Sequence, residues 1–156
     1  MQPLSQPAFH ERLKAVQMDL DYNAYPAFDQ LLQYAHHAGS SIALLHTEAT
    51  SDSEQKTQAF AHEWGVALVL FQRFCNVRND ALRGSFYIPE DEVQRFGNQY
   101  NDLLQTQTSA ALQKLFRLQA DRIREYAKRA LEYLVETDRY SQRSHIVRIE
   151  LSLRLL

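Results

Sequence analysis

The sequence predicts an all-α fold, and three observations support that prediction. The 156 residues contain only four glycines and four prolines, which is few for the turn-rich chains of all-β proteins. Apolar residues recur at steps of three and four along most of the chain, as they do on one face of a helix. With 45% hydrophobic residues the chain can bury a core as one domain, residues 1–156. We therefore expect a bundle of about six helices.

The N-terminal part is predicted to form two helices. Four apolar residues share one face of the first helix: Phe9, Leu13, Val16 and Leu20. Their spacing predicts an amphipathic helix that ends near Asp21. A second helix begins at Pro26, because proline is favoured at the first helical position. It continues through the small residues 38–41 to Leu45, so that another helix, or a ligand chain, can approach its backbone closely.

A polar loop, residues 48–58, precedes a long central helix that is expected to reach about Asp80. Ser51, Asp52 or Ser53 is the predicted N-cap of that helix. A short helix follows Pro89 and ends near Gly97.

The chain is polar between residues 98 and 109 and is expected to be irregular there. A long helix then runs from Ala110 to about Glu136, with Gln119 interrupting its apolar stripe. Residues 145–156 fit a strand and a helix equally well. We predict a helix, because no other strand is available to pair with this segment.

Composition limits the classes of partner. A net charge of −2 gives no case for a nucleic-acid binder. Residues 1–108 hold 7 basic and 13 acidic side chains and residues 109–156 hold 10 and 6, which indicates helix faces that attract each other or a partner. Cys75 is the one cysteine, so an internal disulfide is excluded, and a buried structural thiol is predicted. With no signal peptide or membrane-spanning run, we expect a cytoplasmic protein, and peripheral membrane contact stays open.

The most informative stretch runs from Trp64 to Glu90. Its long apolar helix changes character where Asn76, Asn79 and Asp80 introduce short polar side chains. The segment RGSFYIP, residues 83–89, follows. Its glycine and proline bracket a short non-helical segment.

This arrangement resembles the second aspartate-rich segment of the squalene/phytoene synthase family, in which a D-x-x-x-D helix runs into an R-G-R-x-Y-L-P loop. The loop matches at Arg83, Gly84, Tyr87 and Pro89, while Ser85 replaces the family's second arginine. Counting back from the loop places the second aspartate at Asp80 and the first at Asn76.

Weaker similarities extend through most of the chain. Residues 34–43, YAHHAGSSIA, are similar to the family's Y-C-x-x-x-A-x-x-V-G helix, and residues 18–21, 65–68 and 121–124 also match. The resemblance implies an isoprenoid-synthase-type helical bundle. No D-x-x-x-D pair precedes Met18, so the chain looks like roughly the C-terminal half of that fold, as a truncated chain, a split gene or a degenerate paralogue.

The resemblance also implies chemistry. Family enzymes join two prenyl diphosphates through a cyclopropyl intermediate in hopanoid, sterol and carotenoid pathways, and carboxylates at i and i+4 hold Mg²⁺ against the leaving pyrophosphate. Here Asp80 and Asn76 would be the metal ligands and catalytic residues. Asparagine offers a carbonyl oxygen but no charge, so the Mg²⁺ site is expected to be weak or lost. A reductive step with NADPH is left open.

For the remaining site residues, a purely structural role is an alternative to a functional one. The substrate-binding residues that the resemblance implies are Tyr34, Val69, Gln72, Arg83, Tyr87 and Arg124. Val69 and Gln72 stand where the family has glutamine and asparagine. Tyr34 fits core packing equally well, and Asp80 fits a helix cap or an ion pair with Arg83. His36 and His37 point about 100° apart on a helix, which disfavours a shared metal.

Two functions follow from this pattern. The first is prenyl transfer between diphosphates of farnesyl or geranylgeranyl type, with an upstream or partner-supplied acidic helix. The second is a non-catalytic binding or assembly module whose exposed face another chain or a second copy covers.

Overall fold

A computed structural model describes residues 6–40, 55–134 and 143–156. Its seven α-helices in those ranges are α1 (Gln6–Asp21), α2 (Phe28–Ala35), α3 (Gln55–Cys75), α4 (Val77–Leu82), α5 (Glu90–Arg95), α6 (Ala110–Tyr133) and α7 (Arg143–Leu155). A π-helical turn, His36–Ser40, extends α2, and a 3₁₀ helix spans Tyr100–Leu104. The described part contains no β-strand, so the all-α prediction is confirmed, as is the helix chosen for the C-terminal segment.

Helices α3 and α6 lie along each other at the centre of the described structure. Trp64 of α3 is buried with Ile149 of α7, and Leu31 of α2 is buried with Ile123 of α6. A third group of buried side chains, around Leu115, joins α4 and α5 to the other end of α6. Each large apolar side chain removed from water contributes about 1.5–3 kcal/mol to stability, so these groups hold the bundle together.

The small-residue run after α2 allows a close helix contact, as predicted. A Cβ atom at Gly39 would lie 2.0 Å from the carbonyl oxygen of Gly65 and 2.9 Å from Cγ2 of Val69. Only glycine therefore fits at position 39, and the approaching element is α3. The predicted continuation through residues 41–45 lies outside the described residues.

Several boundaries differ from the predictions. Helix α3 begins at Gln55, within the predicted loop, and the N-cap candidates at 51–53 lie outside the described residues. The central helix breaks at Asn76, whose φ of −101° and ψ of 8° separate α3 from α4. The segment from 98 to 109 includes a 3₁₀ helix, which a capping box at Gln99 starts. Ser109 caps α6 by accepting a hydrogen bond from the Leu112 N–H.

The prediction for Cys75 was wrong. Its thiol is exposed, because Phe71 and Phe74 occupy the core side of the last turn of α3. A position one residue along a helix from Phe74 is rotated by about 100°, which directs Cys75 away from that core.

Helix α1 forms and ends at Asp21 as predicted, but its apolar stripe faces solvent. Exposed fractions along that stripe are 51% for Phe9, 64% for Leu13, 46% for Val16 and 81% for Leu20. Ala15, on the opposite side, is buried. An amphipathic helix ordinarily turns its apolar stripe toward a core, so this face of α1 lacks a cover in the described structure.

The charge asymmetry of the sequence has a structural counterpart. Arg122 and Arg129 of α6 pair with Glu92 and Glu63, which belong to the acidic part of the chain. In the described ranges, no helix combines the length and the apolar character that crossing a membrane demands.

Candidate functional site

The loop of residues 83–89 is held against the connector between α1 and α2. Gly84 adopts φ +81°, a left-handed conformation that glycine tolerates without strain, and this turns the chain out of α4. The Phe86 N–H donates to the Asn23 carbonyl oxygen at 2.7 Å, and the Glu90 N–H donates to the Tyr25 carbonyl oxygen at 2.9 Å. These backbone bonds place Tyr87 above the N-terminal helices.

Five side chains, Asp19, Tyr34, Arg73, Asp80 and Tyr87, meet where the loop crosses α1, α2 and α3. We name this group the Arg73 cluster. Both phenols donate to Asp19, Tyr87 to Oδ1 at 2.7 Å and Tyr34 to Oδ2 at 3.2 Å. The Arg73 guanidinium donates from Nη2 to the Tyr34 hydroxyl and lies 3.9 Å from the centre of the Tyr87 ring. It also lies 3.6 Å from Asp19 Oδ2 and 3.5 Å from Asp80 Oδ2.

Aromatic packing keeps the phenols of the cluster protonated. Tyr25 lies against Tyr34 and Tyr87, with ring centres 5.6 and 5.8 Å apart. Burial raises the pKa of Tyr25, Tyr34 and Tyr87 above that of a free tyrosine, because removal from water disfavours the phenolate. Tyr34 and Tyr87 keep their protons and donate to Asp19, whereas the buried Tyr25 hydroxyl has no hydrogen-bond partner among the described residues.

The two positions of the acidic motif have different surroundings. Asp80 is only 7% exposed and faces Arg73, and its Oδ2 accepts no hydrogen bond in the described structure. Asn76 is exposed, and its Nδ2 donates to the Gln72 carbonyl oxygen at 2.9 Å. The pair keeps helical spacing, since the Asp80 N–H donates to the Asn76 carbonyl oxygen at 2.8 Å. One side chain is thus buried and the other solvated.

The side chains at these two positions do not by themselves supply the ligands of a Mg²⁺ site. Mg²⁺ requires oxygen ligands in near-octahedral geometry and is usually held by one or two carboxylates together with water. Asp80 faces a cation, and the residue one turn earlier carries no charge. Within residues 6–40, 55–134 and 143–156, no three His, Cys, Asp or Glu side chains come close enough to hold a metal ion together.

Arg83 and Arg124, which the family resemblance implies as substrate contacts, lie outside the Arg73 cluster. Arg83 is exposed, and Asp80 pairs with Arg73, not with Arg83. Arg124 pairs with Asp121 at 2.8 Å on the surface of α6. Their role as diphosphate contacts stays a prediction.

Val69 and Gln72 are separated by burial. Val69 belongs to the core and contacts the backbone at Gly39, while Gln72 is exposed. Of the six implied substrate-binding residues, the structure brings Tyr34 and Tyr87 together, with ring centres 5.4 Å apart.

A second polar group lies beside the Arg73 cluster and consists of Glu92, Gln119 and Arg122, named here the Glu92 cluster. Arg122 donates from Nη2 to Glu92 Oε1 at 2.5 Å and from Nη1 to Glu92 Oε2 at 3.2 Å. Gln119 donates to the same Oε2 at 2.6 Å. The Arg122 guanidinium also stacks on Phe28, 3.6 Å from the ring centre. Both carboxylate oxygens of this buried glutamate are therefore satisfied.

A small cavity separates the two clusters. It is lined by Leu31, Leu70, Phe74, Tyr87, Ile88, Gln119, Arg122 and Ile123. Its volume of about 10 Å³ is room for about one water molecule, which is far less than a prenyl chain occupies.

Sequence reasoning missed Arg73 and gave Asp19 no role. A clue to Arg73 was present, because it is the one charged residue between positions 64 and 77. A single charge in an apolar helix requires a partner, and carboxylates are the usual choice.

Comparison with known proteins agrees with the motif. The squalene/phytoene synthase profile matches residues 1–156, the whole sequence. The chain belongs to the squalene/phytoene synthase family. The phytoene synthase of Mycobacterium tuberculosis is 27% identical over 146 residues, covering 89% of this chain and 47% of that protein. The 15-cis-phytoene synthase of Synechococcus elongatus is 25% identical, covering 82% of this chain and 46% of that protein.

Solved structures of the same family share the fold. A dehydrosqualene synthase superposes with a TM-score of 0.85 at 19% identity, covering 97% of this chain and 53% of that one. The squalene synthase HpnC of Alicyclobacillus acidocaldarius gives 0.84 at 16% identity, covering 97% and 59%. These likenesses confirm the isoprenoid-synthase fold. The chain spans about half the length of the curated relatives it matches.

Proposed function

We propose that this squalene/phytoene synthase family member works in isoprenoid metabolism of the hopanoid, carotenoid or sterol type and binds a prenyl diphosphate beside its Arg73 cluster. The observation that carries the proposal is the 83–89 loop, which the connector holds so that Tyr34 and Tyr87 meet on Arg73. The ligand is of farnesyl or geranylgeranyl type, and the protein acts in the cytoplasm with a peripheral membrane contact.

Within this proposal, the exposed loop arginine contacts the diphosphate. Arg83 follows the acidic motif directly and is exposed, so its guanidinium is free to pair with phosphate oxygens. Asp80 and Asn76, the two positions of the acidic motif, lie three and seven residues before Arg83 in the chain. Prenyl transfer itself requires ionisation of the diphosphate, and the described residues supply one buried carboxylate where the chemistry requires several.

Full activity therefore requires acidic groups from another helix, in the same protein or in a partner chain. The cavity beside Tyr87 is too small for a prenyl chain. An exposed apolar face on α1 is consistent with such a partner.

A second candidate function is a non-catalytic assembly module. The observation that favours it is the exposed stripe of α1, because soluble monomers rarely leave a continuous apolar face uncovered. In this case another protein, or a second copy of the chain, covers α1, and the acidic motif plays no chemical part.

Calorimetric titration with farnesyl thiodiphosphate, a non-hydrolysable analogue, tests the first proposal. Binding is expected, and farnesol, which has the chain without the diphosphate, should bind more weakly. Replacing Arg83→Gln should weaken binding by about tenfold, the effect of losing one charge-assisted hydrogen bond. Arg95→Gln, another exposed arginine, is the matched control and should leave affinity unchanged. Absence of binding would contradict the first proposal and favour the assembly module.

A further inference from the structure

We propose that Arg73 is a fixed counter-ion that takes the place of a divalent metal ion at the acidic motif. Its guanidinium lies between two carboxylates that come from different helices, 3.6 Å from Asp19 and 3.5 Å from Asp80. One permanent positive charge therefore serves both carboxylates. Arginine stays charged at every pH at which the protein is folded, so this neutralisation needs no bound ion.

The position of the guanidinium is secured on its other sides. It donates to the Tyr34 hydroxyl and stacks 3.9 Å from the centre of the Tyr87 ring. Tyr34 and Tyr87 are themselves held by their hydrogen bonds to Asp19. Displacing Arg73 would break the hydrogen bond and the stacking contact together, so an incoming ion competes with a held group.

The burial of Asp80 also disfavours the binding of a metal ion. Asp80 is 7% exposed, and its Oδ2 has no hydrogen-bond donor in the described part of the chain. Mg²⁺ gives up its water reluctantly and keeps several water ligands when protein-bound. A hydrated ion cannot reach this oxygen while Arg73 remains, and it would also meet a positive charge there.

This inference rests on the proposed function in one respect: it takes Asp80 and Asn76 to lie on the side of the protein that faces the diphosphate. Its direct consequence concerns metal ions alone. Wild-type protein should show no divalent-cation site that depends on Asp80. Removing Arg73 should leave Asp19 and Asp80 facing one vacated position, with the Tyr34 hydroxyl beside it.

Electron paramagnetic resonance with Mn²⁺ as the sole added ligand tests this prediction. Arg73→Gln should raise Mn²⁺ affinity by more than about tenfold relative to wild type, because a repelling charge is removed at contact distance. Adding Asp80→Asn to that variant should abolish the gain. Arg78→Gln makes the same charge change at an exposed arginine and should produce no new site.

Two results would overturn the inference. One is an Arg73→Gln variant that shows a wild-type circular dichroism spectrum and no gain in Mn²⁺ affinity. The other is wild-type protein that binds Mn²⁺ and loses it on Asp80→Asn. This second measurement decides the matter even if Arg73→Gln fails to fold, and since no prenyl compound is present, neither result bears on prenyl diphosphate binding.

Discussion

The Arg73 cluster and the Glu92 cluster both contain an arginine beside a buried carboxylate, but the two carboxylates differ in their hydrogen bonding. Glu92 is 6% exposed, and both its oxygens accept hydrogen bonds, at 2.5 Å and at 2.6 and 3.2 Å. Asp80 is 7% exposed, yet its arginine stands 3.5 Å away and its Oδ2 accepts no hydrogen bond in the described structure.

This difference separates a pair whose carboxylate is fully hydrogen-bonded from one whose carboxylate is not. The Glu92 carboxylate helps to join α5 to α6, and both of its oxygens already have donors. A buried carboxylate with an unsatisfied oxygen costs stability, and such costs are typical of functional sites. The family motif includes Asp80 but not Arg73, and under the proposed function Asp80 lies on the side that faces the ligand.

The largest expected effect comes from the Glu92 cluster. Arg122→Met leaves Glu92 buried without a cation, which should lower the free energy of unfolding by about 3–5 kcal/mol. Arg124→Met, two residues along α6, breaks an exposed pair with Asp121 and should cost about 0–1 kcal/mol. Urea unfolding followed by circular dichroism measures both. Equal losses would show that burial of the Glu92–Arg122 pair does not increase its contribution to the free energy of unfolding.

A smaller loss is expected from the Arg73 cluster. Arg73→Met removes a stacking contact, one hydrogen bond and the cation near Asp19 and Asp80. Since neither carboxylate is hydrogen-bonded to that cation, the change should cost about 1–3 kcal/mol. Arg78→Met is the matched control, because Arg78 is exposed and, among the described residues, donates to the Leu104 carbonyl oxygen alone. The same unfolding measurement applies. A loss from Arg73→Met larger than that from Arg122→Met would reverse the assignment of the two clusters.

Alkaline pH should affect the Arg73 cluster through its phenols. Burial raises the pKa of Tyr34 and Tyr87, so the unfolded chain releases these protons first as pH passes the ordinary value of about 10. Stability is therefore full below that pH and is lost above it. Tyr87→Phe should reduce the loss measured by urea unfolding, while Tyr133→Phe, at a 42% exposed position, should not. An unchanged pH dependence in Tyr87→Phe would contradict this origin.

The smallest effect on stability is expected far from both clusters, on α1. Leu13→Gln changes a side chain that is 64% exposed, so the free energy of unfolding should move by less than about 0.5 kcal/mol. Ala15→Gln on the buried side of the same helix should be strongly destabilising. Sedimentation velocity of Leu13→Gln also tests the assembly module, since a dimer formed through α1 should dissociate. A large stability loss would show that Leu13 is covered within the monomer.

Much of the fold could be predicted from the sequence. Helical spacing and scarce glycine and proline indicated the all-α class, and the loop motif identified the family. The direction in which each apolar stripe faces could not be predicted. Apolar periodicity shows that a helix has an apolar face, but it does not show which element packs against that face. Phe9 and Leu20 illustrate this, since their stripe is regular but exposed.

The site was predictable only in part, because it depends on contacts between distant segments. Tyr34 and Tyr87 were found through the family motifs. No sequence pattern linked Arg73 to Asp19. Gln119 looked like an interruption of an apolar stripe, yet it is buried because Glu92 of another helix accepts its hydrogen bond. A polar residue in an apolar face indicates a partner, but the sequence does not say which one.

A double-mutant cycle on each pair separates a carboxylate that holds the fold from one that does not. Glu92→Gln with Arg122→Met, and Asp80→Asn with Arg73→Met, are compared singly and together by urea unfolding at neutral pH. We expect a coupling energy above about 2 kcal/mol for Glu92 and Arg122 and below about 1 kcal/mol for Asp80 and Arg73. A coupling between Asp80 and Arg73 as large as that of the other pair would contradict the distinction, because Asp80 would then be a structural residue like Glu92.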